Sequence, residues 1–192
     1  MWRRRRIPFF RRINIAGLNR RIPPVNPRLI EANHLFEAGE FTSSAKIYQE
    51  VAEDALRRDG PHTPNLFALA AKAWLQGNQK ENAMNAFRNS FDILIVRKNW
   101  RRLRILSERA FAQLQGSGNA EQEKELRSWL EMKIPKNIMS LPAWKPVQPA
   151  SSVHPDLPSN CPRCGAPVEV DDLEWIGEKA NCNYCGSLLT KG

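Results

Sequence analysis

All four cysteines of this 192-residue chain fall in its last 32 positions, as Cys161, Cys164, Cys182 and Cys185. Two C-x2-C pairs enclose seventeen residues, inside the spacing window of a tetrathiolate metal site. Two residues between cysteines let both sulfurs of one turn reach a single ion while backbone amides point at the thiolates. Gly165 and Gly186 follow the pairs, and glycine tolerates the positive φ that such turns need. Two disulfides are the alternative use of four cysteines. Paired C-x2-C favours metal over that alternative, and no apolar stretch of the ~7–15 residues a secretory signal needs follows the opening arginines. Four sulfur ligands in a tetrahedron make structural Zn2+ the expected cofactor, with iron in a rubredoxin-like cage as the minority alternative. A closed four-cysteine site has no open coordination position, so it stabilises folding and does not activate water. A RING-type arrangement needs eight ligands, and His34, His62 and His154 cannot supply the remainder.

The residues between the pairs make one out-and-back excursion. Pro167-Val168-Glu169-Val170 and Leu173-Glu174-Trp175-Ile176 read as short strands around a turn at Asp171-Asp172, and Lys179-Ala180-Asn181 returns the chain. On Cys161-Pro162-Arg163-Cys164-Gly165 and Asn181-Cys182-Asn183-Tyr184-Cys185-Gly186, this segment resembles the zinc ribbon family. The resemblance covers about 30 residues and implies a small β-structured module. With so thin a core, such a module depends on its ion to fold. Its three basic and five acidic residues give a net charge of −2, which suits phosphate poorly. A structural or protein-docking ribbon is therefore expected.

The overall charge of +9 is unevenly placed. Nine arginines, Arg3, Arg4, Arg5, Arg6, Arg11, Arg12, Arg20, Arg21 and Arg28, lie in the first 28 residues, before the first acid at Glu31. The remaining 20 basic residues balance the 20 acids. The arm, residues 1–26, interleaves Arg with Trp2, Phe9 and Phe10 and is broken by Pro8, Pro23 and Pro24. An anionic membrane surface and RNA or DNA compete as its partner. An assembly in which the arm becomes ordered is a third candidate. A mitochondrial presequence fits worse, because the arm lacks serine and has too many prolines. Arg97, Arg101 and Arg104 recur at i, i+4, i+7 and are expected either to form a solvated face or to extend the anion-binding surface.

Residues 27–133 carry helical periodicity. Asn26-Pro27 reads as an N-cap followed by proline at the first helical position, and this helix stops at Gly39. The second is expected from about Thr42 to Arg58, the third from a Thr63-Pro64 cap to Gly77, and the fourth from about Gln79. Continuous helix from 79 to 115 would be ~55 Å long at 1.5 Å per residue, so a weakly marked break is placed near Lys98-Asn99. The fifth helix then covers Trp100 to Gln115, and the sixth follows Ser117-Gly118-Asn119 to about Lys133. Trp74, Trp100 and Trp129 are read as packing residues.

Gly39, Gly77 and Gly116 are 38 and 39 residues apart, a period typical of helical-hairpin repeats. On Ala32, Gly39, Phe41, Ser44 and Tyr48, and again on Ala70, Gly77, Ala83 and Phe87, the chain resembles the tetratricopeptide repeat family. The resemblance covers about 105 residues and implies six helices as antiparallel hairpins in a right-handed array with a concave face. Ser44 stands where the family has alanine, the second helices are long and the terminal proline is displaced. A plain all-α bundle remains the alternative.

Residues 134–159 hold six prolines and read as an extended linker. Trp144 within it is expected to pack back on the helices or to anchor a partner. Residues 160–192 are the ribbon. No phosphate loop, dinucleotide fingerprint or nucleophile elbow occurs, His34 reads as a partly exposed helical residue, and every cysteine is committed to the metal. The expectation is a non-enzymatic, cytoplasmic adaptor without a spanning helix. Its helical surface binds protein, its ribbon is a second docking module on a proline-rich leash, and its arm meets an anionic partner. A nucleic-acid-associated factor is the alternative.

Overall fold

A computed structural model describes residues 26–135, 138, 157–168, 173–176 and 179–189. The arm, Trp144 with most of the linker, and the turn at Asp171-Asp172 lie outside the described residues. The fold is mainly helical. In chain order it comprises α1 (Pro27–Glu37), α2 (Phe41–Arg57), α3 (Thr63–Gln76), α4 (Lys80–Val96), α5 (Trp100–Gly116), α6 (Ala120–Lys133), β1 (Glu174–Ile176), β2 (Lys179–Asn181) and β3 (Leu188–Leu189).

One turn geometry ends each of the first five helices. The residues Gly39, Asp59, Asn78, Lys98 and Gly118 all have φ between 50° and 81°. The residue after each donates its N–H to a carbonyl five positions back: Glu40 to Leu35, Gly60 to Ala55, Gln79 to Trp74, Asn99 to Leu94 and Asn119 to Leu114, at 2.8–2.9 Å. This is the Schellman arrangement, in which a left-handed residue turns the chain and satisfies carbonyls that the helix end would orphan. The two glycines marking the second and third repeats in the sequence are not its left-handed residues. Gly77 has φ −80° and Gly116 is the last residue of α5. The break expected near Lys98-Asn99 is present, and Asn99 caps α5 by accepting from the Arg102 N–H at 3.2 Å. Its signal was faint because lysine occupies the left-handed position. At the start of α3, His62 takes the cap position and Thr63 is already helical. The Thr63 hydroxyl donates to the Gly60 carbonyl at 2.7 Å.

Helix α3 lies at the centre. It packs against α2, α4 and α5, and Leu66, Phe67, Leu69, Ala70, Ala71, Ala73 and Trp74 along it are buried. Alanines 32, 45, 52, 70, 71, 73, 83 and 86 are also buried, which lets neighbouring backbones approach closely. Hydroxyls tie the helices at two such contacts: Ser44 donates to the Ala32 carbonyl at 2.7 Å and Ser90 to the Pro64 carbonyl at 2.8 Å. Ser44 thus uses its departure from alanine to bond α2 to α1. Trp74 is buried and donates from its indole to Gln49 at 3.2 Å. Trp100 and Trp129 pack half-buried against the core. Arg88 to Glu125 at 2.5 Å and Lys133 to Asp92 at 3.4 Å join α4 to α6.

The strands form a three-stranded antiparallel sheet in the order β1-β2-β3. The expected partner of the 173–176 strand was the segment beginning at Pro167, of which Glu169 and Val170 lie outside the described residues. Among the described residues β1 pairs with β2, Trp175 lying opposite Ala180, and Pro167 makes an isolated bridge to Asn160. The three residues read as a mere return, Lys179 to Asn181, are the central strand.

An exposed lysine at φ 53° holds a conformation that costs a non-glycine residue roughly 1–2 kcal/mol. Lys98→Gly is therefore expected to stabilise the protein by about 1 kcal/mol after glycine's extra unfolded-state entropy is offset. Urea unfolding followed by far-UV circular dichroism measures this, and an unchanged or lower midpoint would contradict the strain at this turn.

Candidate metal centre

The two cysteine pairs build the same knuckle twice. In the first, the Gly165 N–H donates to the Cys161 carbonyl and the Cys161 N–H to the Ala166 carbonyl, both at 2.8 Å. In the second, Gly186 donates to Cys182 at 2.9 Å and Cys182 to Ser187 at 2.8 Å. Gly165 has φ +76° and Gly186 φ +70°, so each chain turn closes on the residue type the motif supplies. The same turn aims backbone amides at sulfur, Ala166 at Cys164 and Ser187 at Cys185.

The four sulfurs lie within 4.8 Å of one another. Cys161 to Cys185 and Cys164 to Cys182 are each 3.8 Å. A tetrahedron with zinc–sulfur bonds of ~2.3 Å has edges of about 3.8 Å, so the donor set fits a single tetrahedral ion. The cysteines are free thiols, far beyond the ~2.05 Å of a disulfide. Cys161, Cys164 and Cys182 are buried and Cys185 is half-buried. A shell of four soft thiolates suits zinc and also iron.

Among themselves the sulfurs divide their protons unevenly. Hydrogen bonds to Cys182 and Cys185, with burial behind them, push the Cys164 thiol far up. Hydrogen bonds from Cys164 and Cys182 hold Cys185 far below the ordinary thiol range, and Ser187 adds to that. Cys182 is lowered by its bond with Cys164, but its bond with Cys185 and burial outweigh this, so that it is pushed up to about 12. Cys185 thus carries negative charge readily while Cys164 and Cys182 keep their protons. A dication at the centre would exchange those protons for four metal–sulfur bonds. The Ser187 hydroxyl, 3.2 Å from Cys161 and 3.0 Å from Cys185, is placed to donate to either thiolate.

The knuckles do not hang free of the helices. A Cβ at Gly165 would lie 3.5 Å from Asn33 of α1, and one at Gly186 would lie 3.1 Å from the imidazole of His62. The Asn33 amide donates to the Cys164 carbonyl, and Tyr48 of α2 donates to the Asn33 carbonyl oxygen. Burial raises the Tyr48 phenol well above its ordinary value, which keeps it protonated as a donor. In the C-terminal segment, Cys161, Cys164, Ala166, Leu173, Ala180, Cys182 and Leu189 are buried in the same core as the helices. The cysteine-bearing segment is therefore seated on the helical body, where the sequence suggested a module on a leash. Asn33, Tyr48, His62 and Ser187 belong to the site's surroundings. The sequence offered no spacing rule for the first three, since they lie about a hundred residues away. Ser187 could have been found as a hydroxyl two residues after a ligand.

The basic residues of the expected anion surface have different fates. Arg3, Arg4, Arg5, Arg6, Arg11, Arg12, Arg20 and Arg21 lie outside the described residues. Arg97 bonds Asp59 at 2.5 Å and the Gly60 carbonyl at 3.1–3.2 Å, bracing the turn between α2 and α3. Arg104 is 3% exposed, with Glu108 at 4.0 Å, and Arg101 is exposed. The i, i+4, i+7 spacing thus does not make one shared exposed face. His34 is exposed.

Ser187→Ala removes a donor from two ligands, and loss of such outer partners typically costs ~10–100-fold in metal affinity. A fall of at least tenfold in zinc affinity, measured by competition with a chromogenic chelator, is expected, and unchanged affinity would show that the hydroxyl is idle. No family model, curated protein or solved structure matches the chain.

Proposed function

We propose that the chain is a non-enzymatic adaptor. In this reading a tetratricopeptide-like array of helical hairpins binds a protein partner, a structural zinc ribbon completes that body, and the arginine-rich arm tethers it to an anionic partner. The observation that carries the reading is the cluster of four sulfurs, all within 4.8 Å of one another and two pairs of them 3.8 Å apart; an ion held by all four would have no position left for substrate or water. The repeat arrangement draws support from the recurring turn at Gly39, Asn78 and Gly118. Contacts between alternate helices, α3 with α5 and α4 with α6, support it too. Among the described residues no helix is long and apolar enough to cross a membrane.

The tether rests on charge. The first 28 residues hold nine arginines and no acid, while the remainder of the chain is neutral. Each such residue near an anionic bilayer contributes about 1 kcal/mol. The second reading, a nucleic-acid-associated factor, draws on the same arginines interleaved with Trp2, Phe9 and Phe10.

Two measurements test the reading. The protein is expected to hold one equivalent of zinc by elemental analysis, and the Cys161→Ser plus Cys182→Ser variant to hold none. A variant retaining a full equivalent would end the cage assignment. Full-length protein and a form lacking residues 1–25 are then sedimented with anionic vesicles and, separately, with RNA. Vesicle binding that disappears with the arm supports the tether. RNA binding that disappears with it favours the second reading, and no change in either assay refutes the arm's role.

A further inference from the structure

We propose that Asn33, held in place by Tyr48, is a positioning residue for the metal centre, so that the helical body and the ion bind the first knuckle cooperatively. This rests on the metal reading above and assigns a residue outside the cysteine motif to the same centre.

Asn33 lies on α1, 131 residues from the carbonyl it contacts. It is 3% exposed, and Tyr48 is 2% exposed. Both ends of its carboxamide are used: the nitrogen donates to the Cys164 carbonyl and the oxygen accepts from the Tyr48 hydroxyl. The tyrosine bond fixes which end of the amide faces the knuckle, since a phenol that stays protonated presents a donor to the amide oxygen. The adjoining Gly165 has φ +76° and a surface that fits against the Asn33 side chain, a Cβ there lying 3.5 Å away. An aspartate, leucine or alanine at position 33 would leave the ligand's carbonyl without this donor.

The Cys164 carbonyl belongs to a ligand residue. Its direction is set by the tight turn that brings Cys161 and Cys164 to a common centre, and an ion joining the four sulfurs locks that turn. When the turn relaxes, the carbonyl moves and a buried amide loses its acceptor, which costs the desolvation of that group. Coupling of this kind is reciprocal. Whatever the ion contributes to seating the ribbon on α1 and α2, the seat contributes to retention of the ion. His62 meets the second knuckle at Gly186, so the body contacts both halves of the cage. Removal of the ion then unseats the ribbon and uncovers the face of α1, α2 and α3 beneath it.

The test uses the full-length zinc-loaded protein. Zinc release to excess chromogenic chelator is timed for the wild type, Asn33→Asp and Tyr48→Phe. Asn33→Asp keeps an acceptor for Tyr48 and replaces the donor to Cys164 with an oxygen that repels that carbonyl. Release about tenfold faster is expected for it, and a smaller acceleration for Tyr48→Phe, which leaves the donor present but unanchored. Far-UV circular dichroism confirms that the helices are intact. In parallel, the Asn33 side-chain amide is followed by 15N NMR. In loaded wild type its two protons are expected as dispersed, slowly exchanging signals that merge with exposed amides on chelation and return when zinc is restored. If Asn33→Asp, with intact helices, releases zinc at the wild-type rate, or if chelation leaves the amide signals in place, the coupling is overturned. Wild type that carries no zinc as purified and takes up none would overturn the metal reading itself, and the coupling with it.

Discussion

The helical body depends on one backbone constraint, repeated. Each of the first five helices ends in a left-handed residue followed by an N–H that reaches back five positions. The turn satisfies orphan carbonyls and reverses the chain within three to five residues. With the positions 39, 59, 78, 98 and 118 about 20 residues apart, the helices between them, α2 to α5, are 14 to 17 residues long. Such similar lengths let them pack side by side along their extent. The buried alanines then set how close the backbones come, and the larger side chains of α3 fill the space they leave. Packing supplies most of the stability of such helices, but the turns decide which faces meet.

The small sheet with its cysteine knuckles is built under a different limit. Its strands are two or three residues long, and a sheet this small is not independently stable in water. Two outside constraints make up the difference. One is convergence of four sulfurs on a common centre. The other is burial against the helices, which places Ala166, Leu173, Ala180 and Leu189 in the same core as Leu29 and Leu69. The knuckle glycines serve both, since their conformation tightens the sulfur turns and their bare surfaces meet Asn33 and His62.

What the sequence disclosed follows the range of the interactions involved. Helices and caps are local, and Asn26-Pro27 was legible because its chemistry lies within three residues; the Asn26 side chain accepts from the Arg28 N–H at 3.0 Å. The sulfur cluster was legible because four soft ligands at fixed spacing have few other uses. The Lys98 turn was nearly hidden, because a residue that disfavours the left-handed region occupies it. Gly77 misled as a marker, being next to the turning residue Asn78. The strand at Lys179 to Asn181 was missed because so short a stretch has too few residues to show a period. The seat of the cysteine knuckles was invisible. Nothing local to Asn33, Tyr48 or His62 distinguishes a residue that meets a distant knuckle from an ordinary helical or loop residue.

The same distinction bears on charge. An i, i+4, i+7 row of arginines looks alike whether its members face solvent or serve the fold. Arg97 spends its guanidinium on Asp59 and a backbone carbonyl, and Arg104 is buried. Of that row only Arg101 is exposed. Residues 29–192 carry equal numbers of basic and acidic side chains, so they generate little net field beyond a Debye length, about 8 Å at physiological salt. A long-range attraction to an anionic surface must therefore arise from the acid-free first 28 residues. Short-range recognition by the body has to depend on shape and on the polar groups it exposes. Sensitivity to salt would consequently separate the two kinds of contact: binding through the arm would weaken as salt rises, and binding through the helical surface would weaken less.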